Sequence, residues 1–182
     1  MSTVYLIRHG KTLANRQHLY CGSTDLPLCQ EGIRELEALR YQVENARFLT
    51  SGMRRTEETL TLLFGPVPFL REPDFREMDF GAFEMKSYEI LQHDPDYQIW
   101  ISGDNEEHAT PGGESGRQMT QRVLCAWQRL DCQQDTVILT HGGPIAAIMA
   151  HLFPGENRNR YQWQPRPGHG YAITGSTYRP IP

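Results

Sequence analysis

The chain has 182 residues, 38% of them hydrophobic, and a formal net charge of −4, which fits one compact domain able to bury its own core. Lysine occurs only at Lys11 and Lys86 and the arginines are scattered, so there is no basic patch for a polyanion and no nucleic-acid partner is expected. No apolar run approaches the ~18 residues of a membrane span, and no basic segment followed by an apolar one opens the chain, so a cytoplasmic protein without signal peptide or membrane anchor is expected. Cys21, Cys29, Cys125 and Cys132 form no CxxC pair; the leading reading is free thiols in a reducing compartment, with a zinc site or a disulfide set as alternatives.

In chain order, Val4 to Ile7 is a continuously apolar strand, the pattern of a sheet covered on both faces. The spacing of Ile33, Leu36 and Leu39 predicts a helix over 30–43. Arg47 to Thr50 reads as a second strand. Met53 to Phe64 reads as a helix stopped by Gly65-Pro66, and Pro68 to Leu70 as a short edge strand. Residues 71–81 are expected to be extended and irregular. Ser87 to His93 resembles a helix ended by Asp94-Pro95. Residues 102–114, rich in Gly, Asp, Asn and Glu, form a loop. Ser115 is a candidate N-cap for a helix through Leu130. Thr136 to Thr140 is a buried strand, Pro144 to Phe153 a helix, and Tyr171 to Thr174 a last strand. The Pro/Arg-rich stretch 154–169 reads as lid or surface. The alternation predicts an α/β fold, a three-layer sandwich with a mostly parallel central sheet flanked by helices. No repeat or domain boundary is visible, so residues 1–182 are taken as one domain with a lid-like insertion around 80–115.

Four segments carry candidate chemistry. The first strand runs into Arg8-His9-Gly10, at the carboxyl end where α/β sheets place ligands. Arg8 sets a permanent cation, well matched to phosphate, beside an imidazole. That pairing points to a histidine attacking phosphorus rather than holding a metal. The buried strand 136–140 repeats the pattern with His141-Gly142-Gly143-Pro144 and opens a helix, whose first N–H groups, Gly142 among them, offer an anion site. Either His-Gly alone reads equally well as a structural turn; two at matching strand ends do not. In the third segment, Thr50 to Thr59, Arg54 is read as solvated. Arg55 shares a helix face with Thr59, continued by Leu62 and Leu63, and therefore leans inward, where a bound phosphate would satisfy it. In the fourth, Arg76 to Gly81, Glu77 lies in an apolar stretch. Partial burial would raise its pKa and suit it to general acid work; the alternative is a surface pair with Arg76 or Arg71.

Leu6-Ile7-Arg8-His9-Gly10-Lys11-Thr12 with Asn15 resembles the opening signature of the histidine phosphatase superfamily, the phosphoglycerate mutase-like group. Asp25-Leu26-Pro27-Leu28 with Gly32, Ser51 through Thr59, Glu77 with Phe80-Gly81 and Glu84, Gly112-Gly113-Glu114-Ser115 and His141-Gly142-Gly143 match its later blocks in order. The resemblance spans residues 4 to about 153. It implies that His9 is the nucleophile that becomes phosphorylated, that Arg8, Arg55 and His141 line the phosphate pocket, that Glu77 donates the proton to the leaving group, and that Asn15 contacts the phosphate or orients the site. No metal and no cofactor are required. Gly52, Thr56, Cys29 and Met85 depart from the usual pattern without touching this chemistry; at an N-cap, Cys29 would cap poorly, at a cost of ~1 kcal/mol.

About sixty residues separate Glu77 from His141, short for a mutase that must shield phosphohistidine from water, so a phosphatase is expected with phosphoglycerate mutase as the alternative. Within the superfamily, residues 79–86 and the small size resemble α-ribazole-5′-phosphate phosphatases, with broad-specificity and phosphoserine phosphatases close by. The expected partner is a small phosphomonoester; the oligomeric state is left open. Phe83, Tyr88, Tyr97, Trp100, Tyr161 and Trp163 would either stack on a nucleoside-like base or form the lid's core. Arg16, Gln17 and His169 are candidates for the pocket rim or for solvent. His18, His93, His108 and His151 show no ligand spacing.

Three rivals are weighed. A non-haem iron triad of His9, His141 and Glu77 is opposed by Arg8 and Arg55, which would repel a dication. A P-loop at Gly10-Lys11-Thr12 fails because Tyr5 stands where its first glycine is needed. A catalytically inert binding module is disfavoured because every candidate catalytic group is present.

Overall fold

The computed structural model describes residues 2–131 and 133–182. In chain order the elements are β1 (Thr3–Arg8), α1 (Leu13–Arg16), α2 (Gln30–Glu37), β2 (Arg47–Thr50), α3 (Arg54–Phe64), β3 (Leu70–Arg71), α4 (Tyr88–Leu91), α5 (Pro95–Ser102), α6 (Gly116–Gln128), β4 (Thr136–Thr140), α7 (Gly142–Leu152), α8 (Arg160–Trp163), β5 (Gly170–Thr174) and β6 (Thr177–Ile181). Short 3-10 turns lie at Pro73–Phe75, Gly81–Phe83 and Pro154–Glu156.

The six strands form one sheet in the order β3-β2-β4-β1-β5-β6. The first four are mutually parallel; β5 runs antiparallel to β1, and β6 antiparallel to β5. Alternate side chains of the central strands feed opposite cores, as the period of two requires. Val4, Leu6 and Ile138 join the α6 and α7 side chains Met119, Val123, Ile145 and Ile148 on one face. Ile7, Val137 and Leu139 join Leu60 of α3, with Tyr41 and Phe64 packed against them, on the other. This is the mostly parallel, helix-flanked sandwich expected. Every residue of β4 is buried, and eight of the first turns' residues in α7, Gly142 to Met149, are buried too. Pro144 is tolerated in α7 because the first-turn N–H groups have no intrahelical partner to lose.

Several element boundaries differ from expectation for local reasons. The helix predicted over 30–43 ends at Glu37. The Arg40 guanidinium donates to the carbonyls of Glu37 and Leu39, satisfying orphan helix-end acceptors, and Tyr41 turns away to donate to the Gly168 carbonyl. The helix expected over 87–93 ends at Leu91, and Asp94-Pro95, expected to stop it, starts α5 instead. Asp94 is its N-cap, accepting from the Asp96 and Tyr97 amides, and Pro95 lies in its first turn, the favoured place for proline. Strand β6 was also missed. Its Pro180 reads as a strand breaker, yet β6 is the sheet's edge, where proline costs no ladder bond. Leu62, expected on the inward side with Arg55, is exposed. Cys29 does cap α2, its Sγ accepting from the Gly32 amide at 3.5 Å. Cys21, Cys29 and Cys125 are free thiols; Cys132 lies outside the described residues. No helix among the described residues is long and apolar enough to cross a membrane.

Candidate active site

The parallel register of β1 and β4 pairs Arg8 with Thr140, so the next residue of each strand, His9 and His141, emerges side by side. The His9 amide donates to the Thr140 carbonyl at 3.0 Å. The two rings stand edge to face with centroids 5.1 Å apart. Strand β2, on the other side of β4, delivers Ser51, whose Oγ is 2.8 Å from His141 Nε2. The opening turn of α3 then delivers Arg55. Three parallel strands ending together therefore assemble the cluster that the sequence could only propose.

His9 Nδ1 lies 2.6 Å from the Gly10 carbonyl oxygen. A carbonyl only accepts, so Nδ1 carries the proton and Nε2 keeps its lone pair. Burial, and after it the charges of Arg55 and Arg8, push His9 well below the ordinary histidine range. His141 is depressed likewise, by burial first and then by Arg55, His9 and Arg8. Both imidazoles are neutral at pH 7. His141 Nδ1 and Arg8 Nε are buried without hydrogen-bond partners, each a state that costs about 1–3 kcal/mol.

Arg55 is 1% exposed. Its guanidinium donates to the carbonyls of Gly22 and Thr24 at 2.8 and 2.9 Å. That 22–24 loop is itself gripped by Glu84, whose carboxylate accepts from the Gly22 and Ser23 amides and the Thr24 hydroxyl. Arg54 is exposed and paired with Glu58, as expected. Arg8 donates to the Pro165 carbonyl; burial lowers its pKa and the nearby Glu77 opposes that shift.

Glu77 is not in a surface pair with an arginine. Arg71 holds Glu57, and Arg76 Nε donates to the Ser51 carbonyl. The Glu77 carboxylate instead accepts from the Gly143 amide at 3.0 Å. A carboxylate from the protein therefore holds the Gly143 amide, one residue past Gly142, at the start of α7. A Cβ at Gly142 would stand 3.3 Å from Arg8 Cζ, and one at Gly143 would stand 2.1 Å from Glu77 Oε1. The glycine at 143 is what lets Glu77 close on the helix end.

A cleft of about 270 Å³ is lined by Arg8, Asn15, Glu77 and Gly143, while His9, Arg55 and His141 lie behind this lining. Asn15 Oδ1 also closes a capping box, accepting from the Thr12 amide. The outer lining includes Tyr20, Phe80, Trp100 and Ile101, with Arg160 and Tyr161 from α8. Of the aromatic residues flagged above, Phe83, Tyr97 and Trp163 are core; Trp100 is buried yet borders the cleft, Tyr161 is exposed at it, and Tyr88 is exposed elsewhere. Arg16 pairs with Glu31, and His169 Nδ1 contacts the Pro167 carbonyl. Sequence reasoning missed Ser51, Asn105, Arg122, Arg160 and Gln164. Only the block containing Ser51 carried a signal; α8 lay in a stretch read as surface. Among the described residues no group of three or more His, Cys, Asp or Glu is placed to hold a metal ion.

The model of the histidine phosphatase superfamily (branch 1) matches residues 4–178. The chain belongs to this superfamily. It is 32% identical over 160 residues to the adenosylcobalamin/alpha-ribazole phosphatase of Salmonella typhimurium, covering 82% of this chain and 78% of that one. It is 26% identical over 164 residues to the probable phosphoglycerate mutase GpmB of Yersinia pestis, covering 84% and 75%. A solved Escherichia coli structure superposes with a TM-score of 0.85 at 27% identity, covering 98% of this chain and 94% of that one. In this histidine phosphatase the neutral His9–His141 pair lies within the charge influence of Arg8 and Arg55.

Proposed function

We propose that this chain hydrolyses a small phosphomonoester through a phosphohistidine on His9. The observation that carries the reading is the neutral, tautomer-fixed His9 ring beside Arg8, Arg55 and a second neutral imidazole. His9 Nε2 attacks phosphorus and the bond to the alcohol oxygen breaks. Arg8, Arg55 and His141 stabilise the charge on the equatorial oxygens, and a phosphoryl oxygen gives Arg8 Nε the acceptor it lacks. Glu77 delivers a proton to the departing oxygen as the bond breaks. It then takes one from the water that attacks phosphohistidine, and inorganic phosphate leaves with His9 and Glu77 restored. Asn15 borders the phosphate end of the cleft. Residues 80–115 act as the lid, contributing Phe80, Trp100, Ile101 and Asn105 to the lining. No step needs a metal or cofactor.

The outer cleft supports a neutral, planar alcohol. Besides Arg8, its lining cation is Arg160, already 2.7 Å from Glu106, while Tyr20, Phe80, Trp100 and Tyr161 offer ring faces. Among the described residues of the outer lining, a substrate with its own carboxylate finds no cation that is not already paired. This favours α-ribazole 5′-phosphate over 3-phosphoglycerate or phosphoserine. The free thiols suit a reducing cytoplasm. A panel of the three phosphate esters, assayed in the presence of chelator, tests the reading. We expect the highest kcat/KM with α-ribazole 5′-phosphate and none in His9→Ala. Interconversion of 2- and 3-phosphoglycerate faster than hydrolysis would establish the mutase instead.

A further inference from the structure

Glu77 stands on a segment without regular secondary structure, between the 3-10 turns Pro73–Phe75 and Gly81–Phe83. Proton donation at a fixed oxygen needs that backbone held to a fraction of an ångström. Arg122, from the middle of α6, does the holding. Its Nη1 donates to the carbonyls of Asp74 and Arg76 at 2.9 and 2.7 Å, and its Nη2 to the Glu77 carbonyl at 2.7 Å. Nε and Nη2 donate to the two carboxylate oxygens of Glu114 at 2.7 and 2.8 Å. These bonds use all five N–H groups of the guanidinium. Glu114 completes the grip on the other flank of Glu77: its Oε2 accepts from the Asp79 amide at 3.0 Å, and its own amide donates to the Asp79 carbonyl at 2.9 Å.

Burial works against charge on Glu114, but the bonds from Arg122 and Asp79 prevail and hold it below the ordinary carboxylate range. The pair is therefore ionised at pH 7, and its bidentate geometry is the strong form of such a contact. Glu114 and Arg122 line a second cavity, of about 250 Å³, that shares Glu77 with the substrate cleft; neither lines the cleft itself. They meet the general acid's backbone and not the substrate.

We infer that Arg122 and Glu114 are a positioning pair for Glu77, fixing where its proton is delivered; this rests on the general-acid role proposed above. The pair should matter in proportion to how much the leaving group needs a proton. An aliphatic alkoxide needs it; a nitrophenolate leaves without it. The test compares kcat/KM on an alkyl phosphate and on 4-nitrophenyl phosphate for the parent, E114Q, R122K and E77Q. Glu114→Gln keeps the shape but sets an NH₂ against donors. Arg122→Lys keeps the charge but loses the fork, and serves if the first variant fails to fold.

Misplacement by ~1 Å costs on the order of 10² in rate. We therefore expect the loss on the alkyl ester to exceed the loss on the nitrophenyl ester by about 10-fold or more in both variants, within the ~10²–10⁴ available to general acid catalysis. E77Q should show the same bias more strongly. Equal losses on both esters in E114Q and R122K, with the bias present in E77Q, would overturn the positioning role and leave Glu77 as the acid. Equal losses in E77Q as well would overturn the general-acid reading beneath it.

Discussion

Glycine at 143 gives the sharpest single-atom test of the site. A Cβ there would stand 2.1 Å from Glu77 Oε1, whereas ordinary contact needs roughly 3.5 Å. The helix cannot yield, because Gly142 to Met149 are buried. The carboxylate must therefore retreat by roughly 1 Å or more, which at a reacting group costs on the order of 10² in rate. Alanine gains about 0.5–1 kcal/mol over glycine within a helix, offsetting part of the crowding, so the melting temperature should move little. Gly143→Ala is thus expected to lower kcat/KM on the preferred alkyl ester by about 10²-fold. It should leave a cooperative melt, and add little further loss in the E77Q background, where the displaced group no longer works. Rapid-quench measurement of phosphoenzyme formation locates the loss in the first chemical step. Activity within twofold of the parent, or a loss that simply multiplies with that of E77Q, would refute the account of how the helix start and the acid fit together.

Other expectations follow from the same geometry. His9 and His141 have folded pKa values below the unfolded 6.5, so the unfolded state binds more protons and stability falls as pH drops below about 6.5. The upper bound is about 2 kcal/mol per histidine between pH 7 and pH 5. Urea melts at both pH values should show that slope, reduced in H9N and H141N; a flat profile would contradict it. Arg55→Met should lower kcat/KM by about 10²–10³ through loss of transition-state charge stabilisation. It should also lower the melting temperature, since the Gly22 and Thr24 carbonyls lose donors at about 1–3 kcal/mol each. Met85 sits at φ 59°, a conformation that costs a side-chain-bearing residue roughly 1–2 kcal/mol. Met85→Gly should therefore raise the melting temperature without loss of activity, and a fall would show that the methionine side chain contributes more than its backbone costs.

Much of this site was readable from strand ends. A β-branched run ending in His-Gly identifies both the strand and the imidazole, and two such runs in a parallel sheet must finish at one edge. That logic reached His9 and His141; the inward Arg55 came from the helix face it shares with Thr59. It failed where a stop signal is also a start signal, as at Asp94-Pro95, which caps α5. It failed at Pro180, whose meaning depends on β6 being an edge, a fact of topology. Arg122 was invisible for another reason: besides Glu114, its partners are backbone carbonyls some 45 residues away in the chain, and a carbonyl leaves no trace in a residue pattern. The bond from the Gly143 amide to Glu77 was hidden likewise, since only the fold brings the two together.

The most direct test of the account is to trap the intermediate. Enzyme mixed with ³²P-labelled substrate and quenched within a turnover should carry acid-labile, base-stable label, recovered by peptide mapping on His9 and absent from H9A. Label on another residue, or steady turnover by H9A, would contradict it.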